Sequence, residues 1–152
     1  MLKIGGKAPA FKGINQFGES ISLSNFKGKK VILYFYPKDA TPTCTVEACN
    51  LRDGYEALTE YGFEVIGVSA DEVKSHLKFA QKNALPFSLL ADTKQEMIKV
   101  YEAWGEKSMY GKKYMGILRK TYVIDEKGKL EVIIEKVDSK NHVQQILDHY
   151  EK

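Results

Sequence analysis

Cys44 and Cys49 are the only cysteines in a chain of 152 residues, and they lie five positions apart in the run Pro37-Lys38-Asp39-Ala40-Thr41-Pro42-Thr43-Cys44-Thr45-Val46-Glu47-Ala48-Cys49. A thiol becomes a strong nucleophile only as the thiolate, so its surroundings decide whether it does chemistry. Cys44 falls in the first turn of a helix that the apolar spacing predicts from Cys44 to Tyr61. Free backbone N–H groups and the positive end of the helix dipole favour a thiolate there. Pro37 and Pro42 stiffen the preceding loop, and Thr41 offers a hydroxyl within reach of the sulfur or of a bound oxygen. The same placement also suits a small apolar residue on the helix stripe. Position alone therefore leaves a catalytic and a packing role both open.

Arginine usage adds a second clue. The chain has 21 lysines and two arginines, Arg52 and Arg119. Lysine serves most surface purposes, so an arginine here points to a need for its fork of donors and its permanent charge. Arg119 leads into a predicted strand, Lys120 to Ile124, whose first end is expected near Cys44. There its charge would favour the thiolate and steady charge on a leaving oxygen. A strand-end surface cation is the alternative. Arg52 flanks Asp53 on a helix and reads as a surface pair.

Other chemistries are disfavoured. Two cysteines cannot complete a four-ligand zinc site, and His76, His142 and His149 show no metal spacing and are expected at the surface. A net charge of +3, with its densest cluster only Lys27, Lys29 and Lys30, gives no nucleic-acid footprint. No apolar stretch is long enough for a membrane span, and Met1 to Ala10 lacks a signal-peptide core. A cytoplasmic protein is expected, with both cysteines resting as thiols.

The elements that must position these residues follow from patterning. Phe11 to Leu23 predicts a hairpin. Val31 to Tyr36 is an uncharged β-branched and aromatic run, the mark of a strand buried on both faces. Cys44, Ala48, Leu51, Tyr55 and Leu58 form one stripe of the long helix. Phe63 to Val68 predicts a strand, Asp71 to Asn83 a helix with Val73, Leu77 and Phe79 or Ala80 inward, and Phe87 to Leu90 a short strand. Lys94 to Trp104 predicts a helix. Lys120 to Ile124 and Leu130 to Ile134 pair as a hairpin, and Ser139 or Asn141 caps a last helix through Tyr150. The order gives one α/β domain over residues 1–152, a mixed central sheet flanked by helices, with an N-terminal β-hairpin.

Pro37-x-x-x-Thr41-x-x-Cys44 resembles the active-site signature of the peroxiredoxins. The string Tyr34-Phe35-Tyr36-Pro37-Lys38-Asp39, with Thr41-Pro42, Cys44-Thr45, Glu47-Ala48-Cys49, Leu51-Arg52-Asp53, Trp104-Gly105-Glu106-Lys107 and Arg119 before Thr121-Tyr122-Val123-Ile124-Asp125, resembles the bacterioferritin-comigratory (BCP, PrxQ-type) branch. The resemblance implies a thioredoxin-like fold and reduction of hydrogen peroxide and organic hydroperoxides without metal, haem or flavin. It implies Cys44 as the peroxidatic cysteine and Cys49 as the resolving one. Thr41 and Arg119 would orient peroxide and thiolate, and Pro37 would shield the site. One departure is Thr43, where the branch usually has Gly; a side chain there is expected to bear on loop geometry and substrate preference.

Helix geometry adds a constraint to that implied pairing. Residues five apart on an ideal helix are turned by about 140°, with Cα atoms roughly 8.6 Å apart. A disulfide needs them within about 7 Å. A Cys44–Cys49 bond therefore requires residues 43–51 to unwind in each cycle. A thioredoxin-like or glutaredoxin-like dithiol partner would then reduce the bond, and a monomer is expected. Two rivals remain open. A thioredoxin-like disulfide oxidoreductase would carry Cys-x-x-Cys rather than this wider spacing. A redox-sensing or chaperone-like binding protein would use Cys44 only as a sensor.

Overall fold

The computed structural model describes residues 1–150. In chain order the elements are β1 (Lys12–Ile14), β2 (Ser20–Ser22), β3 (Lys30–Phe35), α1 (Pro42–Asp53), α2 (Tyr55–Glu60), β4 (Phe63–Ser69), α3 (Val73–Asn83) and β5 (Ser88–Ala91). They continue with α4 (Glu96–Val100), β6 (Trp104–Met109), β7 (Lys112–Ile117), β8 (Lys120–Ile124), β9 (Leu130–Ile134) and α5 (His142–Leu147). A five-stranded sheet runs β5-β4-β3-β8-β9. β3 lies parallel to β4 and antiparallel to β8, so the sheet is mixed as expected. The N-terminal hairpin is the antiparallel pair β1–β2.

β3 is the axis of the fold because its side chains divide between two cores. Ile32, Tyr34 and Tyr36 face one cluster with Cys44, Ala48 and Leu51. Val31, Leu33 and Phe35 face the other with Tyr101 and Tyr122. Period-two alternation in an uninterrupted apolar strand gives this division directly. Among the described residues, no helix is long and apolar enough to cross a membrane.

The structure corrects several expectations. The helix placed from Cys44 to Tyr61 starts two residues earlier, at Pro42, and breaks at Gly54 into α1 and α2. A Cβ on Gly54 would sit 2.6 Å from Val143 Cγ2, so the close approach of α5 demands glycine at the break. The helix placed from Lys94 to Trp104 is only α4. The chain turns through Glu102 (φ 59°), and Trp104 opens a strand. The β6–β7 hairpin escaped detection because most of it is exposed and lacks apolar alternation. His76 and His142, expected at the surface, are fully buried, whereas His149 is exposed. On α3, which begins at Val73, His76 points inward with Phe79 and Ala80, while Val73 and Leu77 are half-buried. The last helix ends at Leu147 rather than Tyr150.

Candidate active site

β3 delivers the chain to the site. It ends at Phe35, and the loop through Pro37 and Thr41 leads into α1 at Pro42, whose fixed φ suits the first helical position. Cys44 sits in the first turn of α1 and is only 2% exposed. β8 runs antiparallel to β3, with Lys120 opposite Phe35, so Arg119 arrives at the same end of the sheet. Its guanidinium divides its donors. Nη2 donates to Cys44 Sγ at 3.2 Å, and Nη1 donates to Glu47 Oε1 at 2.7 Å. Only arginine has the fork to make both bonds from one fixed plane.

Glu47 lies one turn after Cys44 on the same helix face and is completely buried. Burial pushes its carboxyl up to about 7, against the opposing pull of the Arg119 charge and hydrogen bond. Burial works against the Arg119 charge as well, but the Glu47 carboxylate and Cys44 sulfur more than offset it and its pKa stands above the ordinary value. Lys107 of β6 also faces this region. Burial and the Arg119 charge lower its pKa, and its Nζ donates to the Ile117 carbonyl at 2.9 Å.

A second network pins the loop. The carboxylate of Asp39 accepts from Tyr36 Oη at 2.6 Å and Ser75 Oγ at 2.8 Å, and meets His76 Nδ1 at 2.7 Å. His76 Nε2 donates to the Leu90 carbonyl at 2.9 Å, so both imidazole nitrogens face acceptors and one proton is held between Nδ1 and Asp39. The Asp39 N–H donates to Asp71 Oδ2, which also accepts from Ser69 Oγ. The ligating atoms of Asp39, Asp71 and His76 approach within 4.8 Å of one another. Those atoms are engaged in the hydrogen bonds just described, so the cluster acts as a strut between the loop, β4, α3 and β5.

The sequence-predicted residues are brought together unevenly. Cys44 and Arg119 touch. Thr41 is the N-cap residue of α1, and its hydroxyl donates to the Lys38 carbonyl at 2.9 Å rather than to the sulfur. Pro37 is half-buried at the head of the loop. Cys49 is a free, half-buried thiol further along α1, and its Sγ donates to Asn83 Oδ1 at 3.6 Å. Arg52, expected to pair with Asp53, does so at 2.9 Å and also donates to the Asn83 carbonyl. Thr43 is exposed within the helix and is not among the residues with positive φ, so its side chain does not strain the backbone. The unusual backbone lies at Ala40, with φ of 63°. Glu47, Asp39, His76, His142 and Lys107 were given no role by sequence reasoning. For Glu47 a signal existed: a carboxylate on the apolar stripe of a helix, three residues after a candidate nucleophile.

Comparison with known proteins finds relatives in both sequence and structure. The AhpC/TSA family model matches residues 4–133. Peroxiredoxin Bcp of Bacillus subtilis is 44% identical over 146 residues, spanning 96% of this chain and 93% of that protein. Peroxiredoxin Bcp of Escherichia coli is 42% identical over 147 residues, spanning 97% and 94%. Among solved structures, a variant of peroxiredoxin Q from Xanthomonas campestris superposes with a TM-score of 0.88 at 30% identity, covering 95% of each chain. A PrxQ variant from Xylella fastidiosa gives a TM-score of 0.91 at 27% identity, covering 97% and 94%.

Proposed function

The chain belongs to the AhpC/TSA family, in the Bcp/PrxQ branch of the peroxiredoxins, and is a thiol peroxidase of thioredoxin-like fold; from that premise we propose that Cys44 is the attacking thiol and Cys49 the one that resolves it. The single observation carrying the reading is the 3.2 Å contact of Arg119 Nη2 with Cys44 Sγ at a helix start. A fixed cation and the free N–H groups of the first turn both favour negative charge on that sulfur. The thiolate attacks the terminal peroxide oxygen. An S–O bond forms as the O–O bond breaks, and the departing alkoxide or hydroxide takes up a proton to leave as alcohol or water. Arg119 steadies the charge that builds on the oxygens. Thr41 orients the peroxide once its hydroxyl turns from Lys38, and Pro37 screens the sulfur from bulk water.

Cys49 as thiolate then attacks the Cys44 sulfenic acid and expels hydroxide, leaving a disulfide. Both cysteines lie in one continuous helix, Pro42–Asp53, so residues 43–51 unwind for that step. An external dithiol of thioredoxin or glutaredoxin type reduces the bond, because the chain has no further cysteine. The protein works as a single-domain monomer in the cytoplasm, where such reductants keep thiols reduced. Steady-state turnover of hydrogen peroxide and an alkyl hydroperoxide with a thioredoxin system tests the assignment. Cys44→Ser is inactive, and Cys49→Ser consumes one equivalent and stalls. Full turnover by Cys44→Ser sinks the assignment.

A further inference from the structure

Behind Arg119 lies a buried polar cluster that peroxide reduction as described leaves unused. Glu47 Oε1 is bonded to Arg119, but Oε2 is buried with no hydrogen-bond partner. His142 Nε2 on α5 lies 3.6 Å from it, beyond hydrogen-bond reach. His142 is itself fully buried. Its Nδ1 lies 2.9 Å from Gln145 Oε1, and its Nε2 lies 2.8 Å from Thr121 Oγ1.

The surrounding bonds fix which nitrogen of His142 carries the proton. Gln145 Oε1 accepts from the Asp138 N–H, and Gln145 Nε2 donates to the Lys136 carbonyl. The amide orientation is thereby set, and an acceptor faces His142 Nδ1. Nδ1 must donate, so Nε2 offers a lone pair toward Thr121 and Glu47. Burial keeps the ring neutral, holding its pKa down to about 4. Nothing on this side donates to a charged Glu47 Oε2, because the Thr121 hydroxyl is used on Nε2.

We propose that His142 is a positioning residue for peroxide reduction: its Nε2 lone pair holds the Thr121 hydroxyl away from Glu47 Oε2, leaves a charged Glu47 without a donor, and so keeps Glu47 neutral while Cys44 is ionised. Glu47 and Cys44 both draw on the one Arg119 cation. Moving one proton from the Cys44 thiol to the Glu47 carboxylate leaves the cluster's net charge unchanged and frees Arg119 to serve the sulfur. The groups facing Glu47 are Cys44 on its own helix, Arg119 just before β8, Thr121 on β8, His142 from α5 and Tyr34 from β3. The Tyr34 phenol is kept neutral by burial. Lys107 acts one layer further out, on Arg119 and Cys44. The inference rests on the reading of Cys44 as the attacking thiol.

Carbon-13 NMR of glutamate-labelled protein reads the Glu47 carboxyl directly, its resonance assigned by loss in Glu47→Gln. Alkylation of Cys44 by iodoacetamide, followed at that residue by mass spectrometry, reads the thiolate across the same pH range. In the unmodified protein the two titrations are coupled, and the alkylation profile bends at the Glu47 midpoint. In Thr121→Val no hydroxyl is left to turn to Oε2, and the midpoint does not fall. In His142→Phe the acceptor is gone and the Thr121 hydroxyl turns to Oε2, so the midpoint falls by about half a pH unit or more. The bend in the Cys44 profile follows in each case and vanishes in Glu47→Gln. A lowered midpoint in Thr121→Val overturns the inference, as does an unchanged or raised one in a folded His142→Phe. Turnover by Cys44→Ser would instead overturn the underlying assignment, which the NMR midpoints do not depend on.

Discussion

Asn50 of α1 caps the N-terminus of α5: its Oδ1 accepts the Val143 N–H at 2.8 Å, and its Nδ2 donates to the Lys140 carbonyl at 3.0 Å. Asn141, in the N-cap position of α5, makes no side-chain cap bond of its own. The segment whose unwinding would join Cys44 to Cys49 thus includes the residue that caps the start of α5. Oxidation is expected to release that cap. Hydrogen exchange at residues 139–147 should quicken in the disulfide form and return to slow exchange on reduction. Equal protection in both forms would show that α5 is insensitive to the state of α1. Asn50→Ala should cost about 1 kcal/mol of stability, the usual worth of a lost cap, measurable by chemical denaturation.

Arg119 holds Cys44 and Glu47 with separate nitrogens of one plane. Lysine would bring a single ammonium, able to face one of them well. Arg119→Lys is therefore expected to lower the rate of the first peroxide step by roughly a hundredfold while keeping the fold. Rapid-quench single turnover, with the sulfenic acid trapped and counted, measures this. A lysine variant within a few-fold of the parent would mean that charge alone suffices.

The Asp39–His76 strut predicts a large effect on stability. Asp39→Asn leaves the His76 Nδ1 proton facing a neutral amide and weakens the bonds from Tyr36 and Ser75. Each buried hydrogen bond to a carboxylate is worth about 1.5 to 3 kcal/mol, so neutralising this acceptor weakens several at once. Denaturation midpoints should fall accordingly. A loss below about 1 kcal/mol would mean that the loop is held by other contacts.

What the sequence shows and hides follows from the range of each interaction. Val31 to Tyr36 shows two buried faces because alternation is a local pattern, and Cys44 could be placed in a first helical turn, although the helix starts two residues before it, at Pro42. Arg119 could be placed because few arginines exist to choose from, and an antiparallel β8 must begin where β3 ends. The Asp39–His76 pair was hidden because its partners are 37 residues apart and each alone resembles a surface polar residue. The break at Gly54 was hidden because Val143, which forbids a side chain there, arrives from the far end of the chain. The β6–β7 hairpin carried only a turn signal, Tyr110-Gly111, with both φ angles positive.

Glu47 and His142 predict opposite pH dependences of stability that mask each other. The Glu47 carboxyl is raised in the folded state from 4.5 to about 7, so the folded chain binds more protons than the unfolded chain between those values. Its contribution is fully present below about 4.5 and is lost as pH rises through 7, by about 3 kcal/mol in total. His142 is lowered from 6.5 to about 4 by burial. Its contribution is present above 6.5 and is lost as pH falls through 4, again by about 3 kcal/mol. The two slopes cancel over the shared window, roughly pH 4.5 to 6.5, so these residues leave the parent protein nearly flat there. Glu47→Gln removes the falling limb, and its stability should climb with pH across that window. His142→Phe removes the rising limb, and its stability should decline. Urea denaturation at half-unit steps of pH separates the outcomes: parallel curves for all three proteins would mean that neither buried group keeps a shifted proton affinity in the folded state.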